Sequence, residues 1–277
     1  MNNTDKRYTT VQSVGKSCVG CRSCEQKCPK NCISIMPDKE GFLYPVIDND
    51  KCIGCKVCVN SCPAVNMPQK RQPISVYALK NKDKERILSS ASGGASDVFA
   101  GYVIDNGGVV YGCAYDTDML VKHIELTDKE SLKRIQSSKY VQSDIGNCYS
   151  KAKEKLDSGK MVLFTGTPCQ IAGLYAFLGN KEYDKLYTVD LICHGVPSPL
   201  LFKKYLAYQE DKLKEKIVSF DFRSKEKRGW ATQYLLKTQN KSKSRALKLD
   251  RYGKHFMDGD CYRESCYTCP YSDIKRV

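Results

Sequence analysis

The patterning of apolar and polar positions changes near residue 70. Residues 15–68 form a Cys-rich unit punctuated by Pro, in which the run GFLYPVID (41–48) predicts a short hairpin region. The polar stretch MPQKRQP (67–73), with two prolines, predicts a linker. From Ser75 onward short apolar runs alternate with helical periodicity. Strands are predicted over residues 76–80, 109–115, 121–126, 161–165 and 186–193, and around 217–222 and 233–238. Helices are predicted over 92–106, entered through Gly93-Gly94, over 144–158 with Gly159 as its stop, over 168–178 ended by Gly179, and over 198–216 as a long amphipathic helix. Such strand–helix–strand alternation favours helices packed on a sheet, so an α/β domain with a mixed sheet is expected from residue 73 onward. A length of 277 residues suits one small and one medium domain. The expected division is 1–72 and 73–277, the latter with an N-terminal part of about 73–150 and a C-terminal part of about 151–277.

Composition alters this picture little until cysteine is counted. Hydrophobic residues at 41% and aromatics at 10% suffice for a core, whereas 27% charged residues and a mean hydropathy of −0.48 argue against membrane burial. No apolar stretch approaches the roughly 18 residues of a spanning helix. The start MNNTDKRYTT lacks the apolar centre of a signal peptide, so a soluble, cytoplasmic protein is expected. The 16 cysteines, bunched in triplets within such a chain, point to reduced thiolates holding metal rather than to disulfides.

The triplets are an internal repeat: Cys18-x2-Cys21-x2-Cys24-x3-Cys28-Pro29 recurs as Cys52-x2-Cys55-x2-Cys58-x3-Cys62-Pro63. Two CxxC pairs alone would suit zinc, but the tighter triplet with a fourth Cys before Pro is the bacterial two-cluster ferredoxin pattern. Three closely spaced thiolates wrap three irons of one cube, the fourth reaches the other cluster, and Pro turns the chain away. The spacing assigns Cys18, Cys21, Cys24 and Cys62 to one 4Fe-4S cluster, and Cys52, Cys55, Cys58 and Cys28 to the other. An α+β two-cluster bacterial ferredoxin-like domain is therefore expected over 1–72. Cys32 has no place in this scheme and is expected to be a small buried residue. The formal charge of +14 suggests an anionic partner. Each oxidised cluster with its four thiolates carries about −2, however, so three would leave roughly +8. The Lys-rich stretches 212–216 and 241–248 alternate with Asp, Glu, Ser or Leu as solvated faces do, and no nucleic-acid motif is present.

A second constellation is TGTPCQ (165–170), at a predicted strand-to-helix junction with Pro168 in the first turn. Exposed amides and the positive helix end there favour an anion, either a thiolate-bound cluster or a cofactor phosphate; a well-packed turn is the plainer reading. The neighbouring strand runs into Cys193-His194-Gly195, so two cysteines fall at the carboxyl ends of candidate strands, where open α/β sheets place ligands. Cys193 and His194 are disfavoured as a nucleophile–base pair, because adjacent residues rarely present both side chains to one point. No catalytic residue is identified.

Taken with the ferredoxin repeat, four further segments carry a resemblance over nearly the whole chain: Ser92-Gly93-Gly94 before a helix, Lys139-Tyr140-Val141-Gln142-Ser143, Thr167-Pro168-Cys169-Gln170, and Cys193-His194-Gly195-Val196-Pro197 followed by Cys266-x2-Cys269. The chain resembles the beta subunits of coenzyme F420 hydrogenases and dehydrogenases, in their ferredoxin-fused bacterial form. The resemblance implies a third 4Fe-4S cluster beside an FAD. Carried over by position, Cys169, Cys193, Cys266 and Cys269 match the cluster ligands, which leaves Cys261 spare or as an alternative ligand. It places the flavin at Ser92, Gly93 and Gly94 and at Lys139, Tyr140 and Ser143, and Thr167 and Gln170 of the anion-favouring turn join these candidates. Glycines let backbone amides approach a pyrophosphate, and Lys139 and Ser143 supply charge and a hydroxyl. Such relatives continue beyond the final CxxC, so the chain is expected to be C-terminally truncated, and the family name does not by itself make the deazaflavin the substrate.

The function expected is that of an iron-sulfur flavoprotein oxidoreductase. Electrons would pass singly through the ferredoxin clusters and the third cluster to FAD, which gathers two for a deazaflavin or another small-molecule acceptor. The alternative is a non-catalytic electron-transfer subunit docked on a separate catalytic partner. Expected partners are a redox protein or ferredoxin and a small-molecule acceptor, with no nucleic acid and no membrane.

Overall fold

The computed structural model describes residues 10–273, 275 and 277. The first lobe is organised by its cysteines. A 3-10 helix, Val11–Ser17, leads into Cys18; α1 (Ser23–Lys27) carries Cys24; β1 (Ile33–Pro37) and β2 (Leu43–Ile47) pair antiparallel with Ile33 opposite Ile47; α2 (Val57–Asn60) carries Cys58. The two CxxC segments share one local design. Each short helix is entered from a left-handed residue, Arg22 at φ 61° and Lys56 at φ 60°, and each loop holds a glycine at positive φ, Gly20 and Gly54. Curling the backbone this tightly turns successive thiols inward. The lobe's own apolar core is small: Val11, Val14, Ile33 and Ile47, with Cys24, Cys32 and Cys62 completing it.

The strand expected over 76–80 does not form. Residues 76–80 lie outside every described strand and stay exposed, with Ile74 at 100% and Val76 at 88%. Alternating apolar residues make a strand only where a neighbour accepts the backbone hydrogen bonds, and no described strand runs alongside them. The segment is anchored at its end, where the Asn81 N–H donates to Gly93 O at 2.7 Å.

A second lobe follows: α3 (Lys84–Ser89), α4 (Ala95–Asp105), β3 (Val109–Tyr115), β4 (Val121–Leu126), α5 (Cys148–Asp157), β5 (Val162–Gly166), α6 (Pro168–Leu178) and β6 (Leu186–Asp190). The sheet order is β4-β3-β5-β6, with β3, β5 and β6 parallel and β4 antiparallel on β3. This is the mixed sheet expected from the alternation. Its central strands are apolar almost without interruption, as parallel strands covered by helices must be. β6 stops at Asp190, short of the expected residue 193, because the chain turns out of the sheet with Leu191 N–H bonded to Gly166 O at 3.1 Å. Cys193 therefore stands on a loop beyond the strand end.

The last part comprises α7 (Pro199–Leu213), β7 (Ile217–Asp221), β8 (Gln233–Thr238), β9 (Ser242–Ala246) and α8 (Arg251–Asp258), with the strands in one antiparallel sheet, β7-β8-β9. Its core is aromatic, with Phe202, Phe220, Phe222, Tyr234 and Tyr252 buried together. β9 and α8 escape the periodicity. β9 is the polar SKSRA, held as an edge by backbone pairing to β8, and α8 buries Tyr252, Gly253 and Phe256. The Asp250 carboxylate starts α8 by accepting from Tyr252 N–H at 3.0 Å and Gly253 N–H at 3.3 Å. Among the described residues no helix is long and apolar enough to cross a membrane.

The ferredoxin lobe docks on the sheet lobe through α1, which packs against α5 and α6. Arg22 bridges to Glu25 and, across the boundary, to Asp144 at 2.6 Å. Gln26 Oε1 accepts from Ser150 N–H at 3.0 Å. Cys21 is buried inside the apolar core of the sheet lobe, beside Tyr149, Ile171 and Leu174.

Candidate functional site

Two cysteine-lined cavities occupy the first lobe. One is walled by Cys18, Cys21, Cys24 and Cys62 with Val11, Ile35 and Leu43. The other is walled by Cys28, Cys52, Cys55 and Cys58 with Ile33, Ile47 and Ile53. Cys28 and Cys52 come from different copies of the repeat, and so do Cys24 and Cys62, so each cavity crosses the pseudo-symmetry of the sequence. The inner cavity is the drier: Cys21, Cys24 and Cys62 are buried, whereas Cys55 at the outer cavity is exposed. Burial pushes the Cys62 thiol up to about 11 and holds Cys21 and Cys24 well above the ordinary cysteine value. Thiolates in such a place need a cation, which iron would supply. The thiols face one another across space: among the described residues no three of His, Cys, Asp and Glu are arranged to hold a single metal ion. Four thiols lining one pocket fit a 4Fe-4S cluster in donor chemistry. Cys32 also lines the outer cavity, with its Sγ 3.4 Å from that of Cys28.

A third cysteine group is assembled from three separate parts of the chain. α6 opens with a capping box in which Gln170 Oε1 accepts from Thr167 N–H at 3.0 Å, and this sets Cys169 in the first turn with its Sγ 3.2 Å from Thr167 Oγ1. The loop after β6 brings Cys193, and the terminal segment brings Cys266 and Cys269. Burial raises the Cys169 thiol to about 12, and the thiols that act on it are those of Cys193, Cys266 and Cys269. Cys261 lies instead against Asp260, Tyr252 and Tyr262. The loop and the terminal segment are tied by a bridge between Pro197 and Tyr262 and by Arg263 N–H donating to Val196 O at 3.0 Å. Tyr262 OH contacts His194 Nδ1.

One turn along α6 from Cys169 lies Gly173. A Cβ there would stand 2.7 Å from Cys21 Cβ and 2.8 Å from Tyr149 OH, so the helix rests directly on an inner-cavity cysteine. Tyr149 and Tyr271 are buried between the groups: Tyr149 feels Cys21 and Cys169, and Tyr271 feels Cys21 and Cys62 as well as Cys169 and Cys269. None of these bridging residues belongs to a motif, and only the turn spacing of Gly173 after Cys169 could have drawn attention to it.

The residues nominated for a flavin divide into two groups. Ser143, Thr167 and Gln170 are committed to internal bonding: Ser143 Oγ meets His123 Nδ1 at 3.0 Å and accepts from Gln170 Nε2 at 3.0 Å. Ser92, Gly93, Gly94, Lys139 and Tyr140 belong to a different locus, where three segments are laced together. Lys225 Nζ donates to Ser92 O at 2.9 Å, Gln136 Nε2 to Asp97 Oδ1 at 2.8 Å, and Arg223 Nη1 to Tyr140 OH at 3.2 Å. Gly94 enters α4 at φ +82°, and a Cβ on Gly93 would strike Leu79 O, so both glycines are required by the backbone itself. Burial lowers both Lys139 and Lys225 below their ordinary value; Lys139 Nζ donates to Gln136 O, and Lys225 lies 3.7 Å from the Trp230 ring centre. Lys225 and Arg223, which no motif singled out, thus add two cations to this locus.

Comparison with known proteins bears on the architecture. Residues 159–276 match the family model described as the C terminus of the coenzyme F420 hydrogenase/dehydrogenase beta subunit, and residues 17–66 and 44–97 match models of 4Fe-4S dicluster domains. No curated protein matches. Among solved structures, a chain of the F420-reducing [NiFe] hydrogenase complex from Methanosarcina barkeri is similar at 20% identity and a TM-score of 0.41, over 62% of this chain and 61% of that one. This chain spans less than two thirds of that relative's length. The cysteine repeat and the family matches together show an iron-sulfur electron-transfer protein with a 4Fe-4S dicluster domain, followed by a region similar to the C terminus of the coenzyme F420 hydrogenase/dehydrogenase beta subunit.

Proposed function

We propose that the protein is an iron-sulfur flavin oxidoreductase that exchanges electrons with a protein redox partner at one end and a small two-electron acceptor at the other. The observation that carries this reading is the close approach of Gly173 to Cys21, which sets the inner ferredoxin site against the helix that carries Cys169. Bound at the three cysteine quartets, 4Fe-4S clusters supply one-electron transfer, and an FAD supplies the conversion to a two-electron exchange. The chain's residues have distinct parts in this. Cys28, Cys52, Cys55 and Cys58 hold the outer group, where Cys55 and Ile53 are exposed to a partner and Lys30 and Lys56 border the cavity as cations that favour an acidic one. Cys18, Cys21, Cys24 and Cys62 hold the inner group. Cys169, Cys193, Cys266 and Cys269 hold the third, with Tyr149 and Tyr271 excluding water between it and the inner one. The Ser92–Gly94 turn, Lys139 and Tyr140, with Arg223 and Lys225, form a cationic locus suited to the pyrophosphate of FAD.

Anaerobically purified protein is expected to contain about 12 iron and 12 acid-labile sulfide per chain, one four-iron cube per quartet. About eight iron would reject the third site, and zinc with negligible sulfide would reject all three. Cys266→Ala should lose one cluster and leave a dithionite-reducible ferredoxin pair, while Cys261→Ala should lose none. Full iron without flavin would make the chain a relay subunit for a separate catalytic partner.

A further inference from the structure

We propose that Arg263 is the buried counter-charge of the cluster held by Cys18, Cys21, Cys24 and Cys62, and that it ties the reduction potential of that cluster to the loop of the third cysteine group. The proposal rests on the reading of those cysteines as cluster ligands.

Arg263 is 1% exposed and lies between Cys261 and Cys266 in the terminal segment. Its backbone belongs to the third group: the N–H donates to Val196 O at 3.0 Å, and the carbonyl accepts from Cys266 N–H at 2.8 Å. Its side chain belongs to the first lobe. Nε donates to Cys18 O at 2.6 Å, Nη2 to Leu43 O at 2.9 Å and Nη1 to Gln142 Oε1 at 3.1 Å, and the guanidinium lies 4.2 Å from the Tyr44 ring centre. All three acceptors are neutral. Among the described residues no carboxylate forms an ion pair with Arg263, although 18 other pairs of side chains do so elsewhere.

A guanidinium taken out of water and given only neutral acceptors is costly to bury. Two sources of negative charge are at hand: the Cys266 thiolate, on which the guanidinium acts, and the thiolate set beginning at Cys18, whose own carbonyl Arg263 grips. The loop is shaped for this approach. Gly20, between Cys18 and Cys21, sits at φ +71°, and a Cβ there would stand 3.0 Å from Nη1 and 2.7 Å from Gln142 Nε2. A side chain at position 20 would push the cation out. Reduction adds one negative charge to a cluster, and a fixed cation in a poorly screened interior stabilises that charge, so Arg263 raises the potential of the inner cluster relative to the same site without it. Movement of the Cys266 loop would carry the cation with it, which couples the two sites.

The test is an EPR-monitored redox titration of the anaerobically purified full chain, with iron counted in every sample. Wild type is compared with Arg263→Lys, Arg263→Met and Gln142→Glu, the last of which keeps the arginine and sets a carboxylate against it. The inner-cluster signal is identified as the one lost in Cys24→Ser, and the third as the one lost in Cys266→Ala. Arg263→Met and Gln142→Glu are expected to move the inner-cluster midpoint to more negative potential at unchanged iron, with Arg263→Lys shifting it least. Unchanged midpoints at full iron would make Arg263 a mechanical clamp and overturn the proposal. A shift confined to the signal lost in Cys266→Ala would assign the cation to the third cluster and overturn it equally. Should Arg263→Met fail to hold iron, Gln142→Glu decides by the same criterion. If Cys24→Ser removes no cluster, the ligand reading is at fault and the proposal falls with it.

Discussion

His123 is the histidine the protein keeps wholly inside, and its surroundings define what it does. Nε2 meets Thr165 O at 2.9 Å, Nδ1 meets Ser143 Oγ at 3.0 Å, and the ring stacks on Phe164 at 5.4 Å. The carboxylate of Asp144 is the charge that acts on it, and it is outweighed by burial, which lowers the imidazole to about 4. Between that value and the ordinary histidine range the unfolded chain binds a proton that the folded chain refuses. Stability from His123 is therefore complete above about pH 6.5 and is lost as pH falls toward 4, to a total of about 3 kcal/mol. Melting temperatures of wild type and His123→Gln at several pH values between 7.5 and 5.5 should show the wild-type advantage shrinking on acidification. A constant difference would mean that His123 acts by packing alone.

At the scale of elements, α6 does the most. Its first turn presents Cys169, its capping residue Gln170 reaches Ser143, and its second turn lies against Cys21, just before α1, through Gly173. The close approach leaves no room for a methyl group. Gly173→Ala places a carbon against Cys21 Cβ and Tyr149 OH, and overpacking of that kind costs ~1–3 kcal/mol. The cost should fall on the seam between the lobes, so the Cys21 group and the Cys169 group should both lose iron to a chelator sooner than the outer group. Selective loss from the outer group would contradict the placement of α6. Residues 76–80 illustrate the opposite case, in which a strand-like pattern stays unpaired because no described element offers it a ladder.

Over the whole molecule, stability is divided unequally among separate cores. The sheet lobe buries Tyr111, Phe164, Leu174 and Phe177 in one core, and the last part buries a second, aromatic one. The core cluster of the ferredoxin lobe holds four buried apolar side chains and three cysteines, with Phe42 and Val59 buried beside it, too little to stand without metal. Chelation of iron under anaerobic conditions is expected to abolish hydrogen-exchange protection over residues 18–62 while β3 and β5 stay protected. Equal loss in both would show one cooperative unit, held together through Arg22, Gln26 and Arg263 more tightly than the cores suggest.

The sequence alone determined whatever depends on local spacing. The doubled CxxCxxCxxxCP repeat named eight of the nine cysteines that line the two cavities, Pro168 and Gly179 bounded α6, and strand–helix alternation led to the mixed sheet. β9, α8 and the unpaired 76–80 segment were illegible because their state depends on which neighbour is present, which periodicity does not record. The same holds for the residues that join the sites. Arg263, Gly173, Tyr149, Tyr271 and Lys225 lie in no motif, and their roles rest on contacts between segments far apart in the chain, such as Arg263 with Cys18 and Lys225 with Ser92. Ligand spacing is a property of a loop, whereas a buried charge, a close approach or a gap between two clusters exists only once separate elements have packed, and that was decided by the tertiary structure.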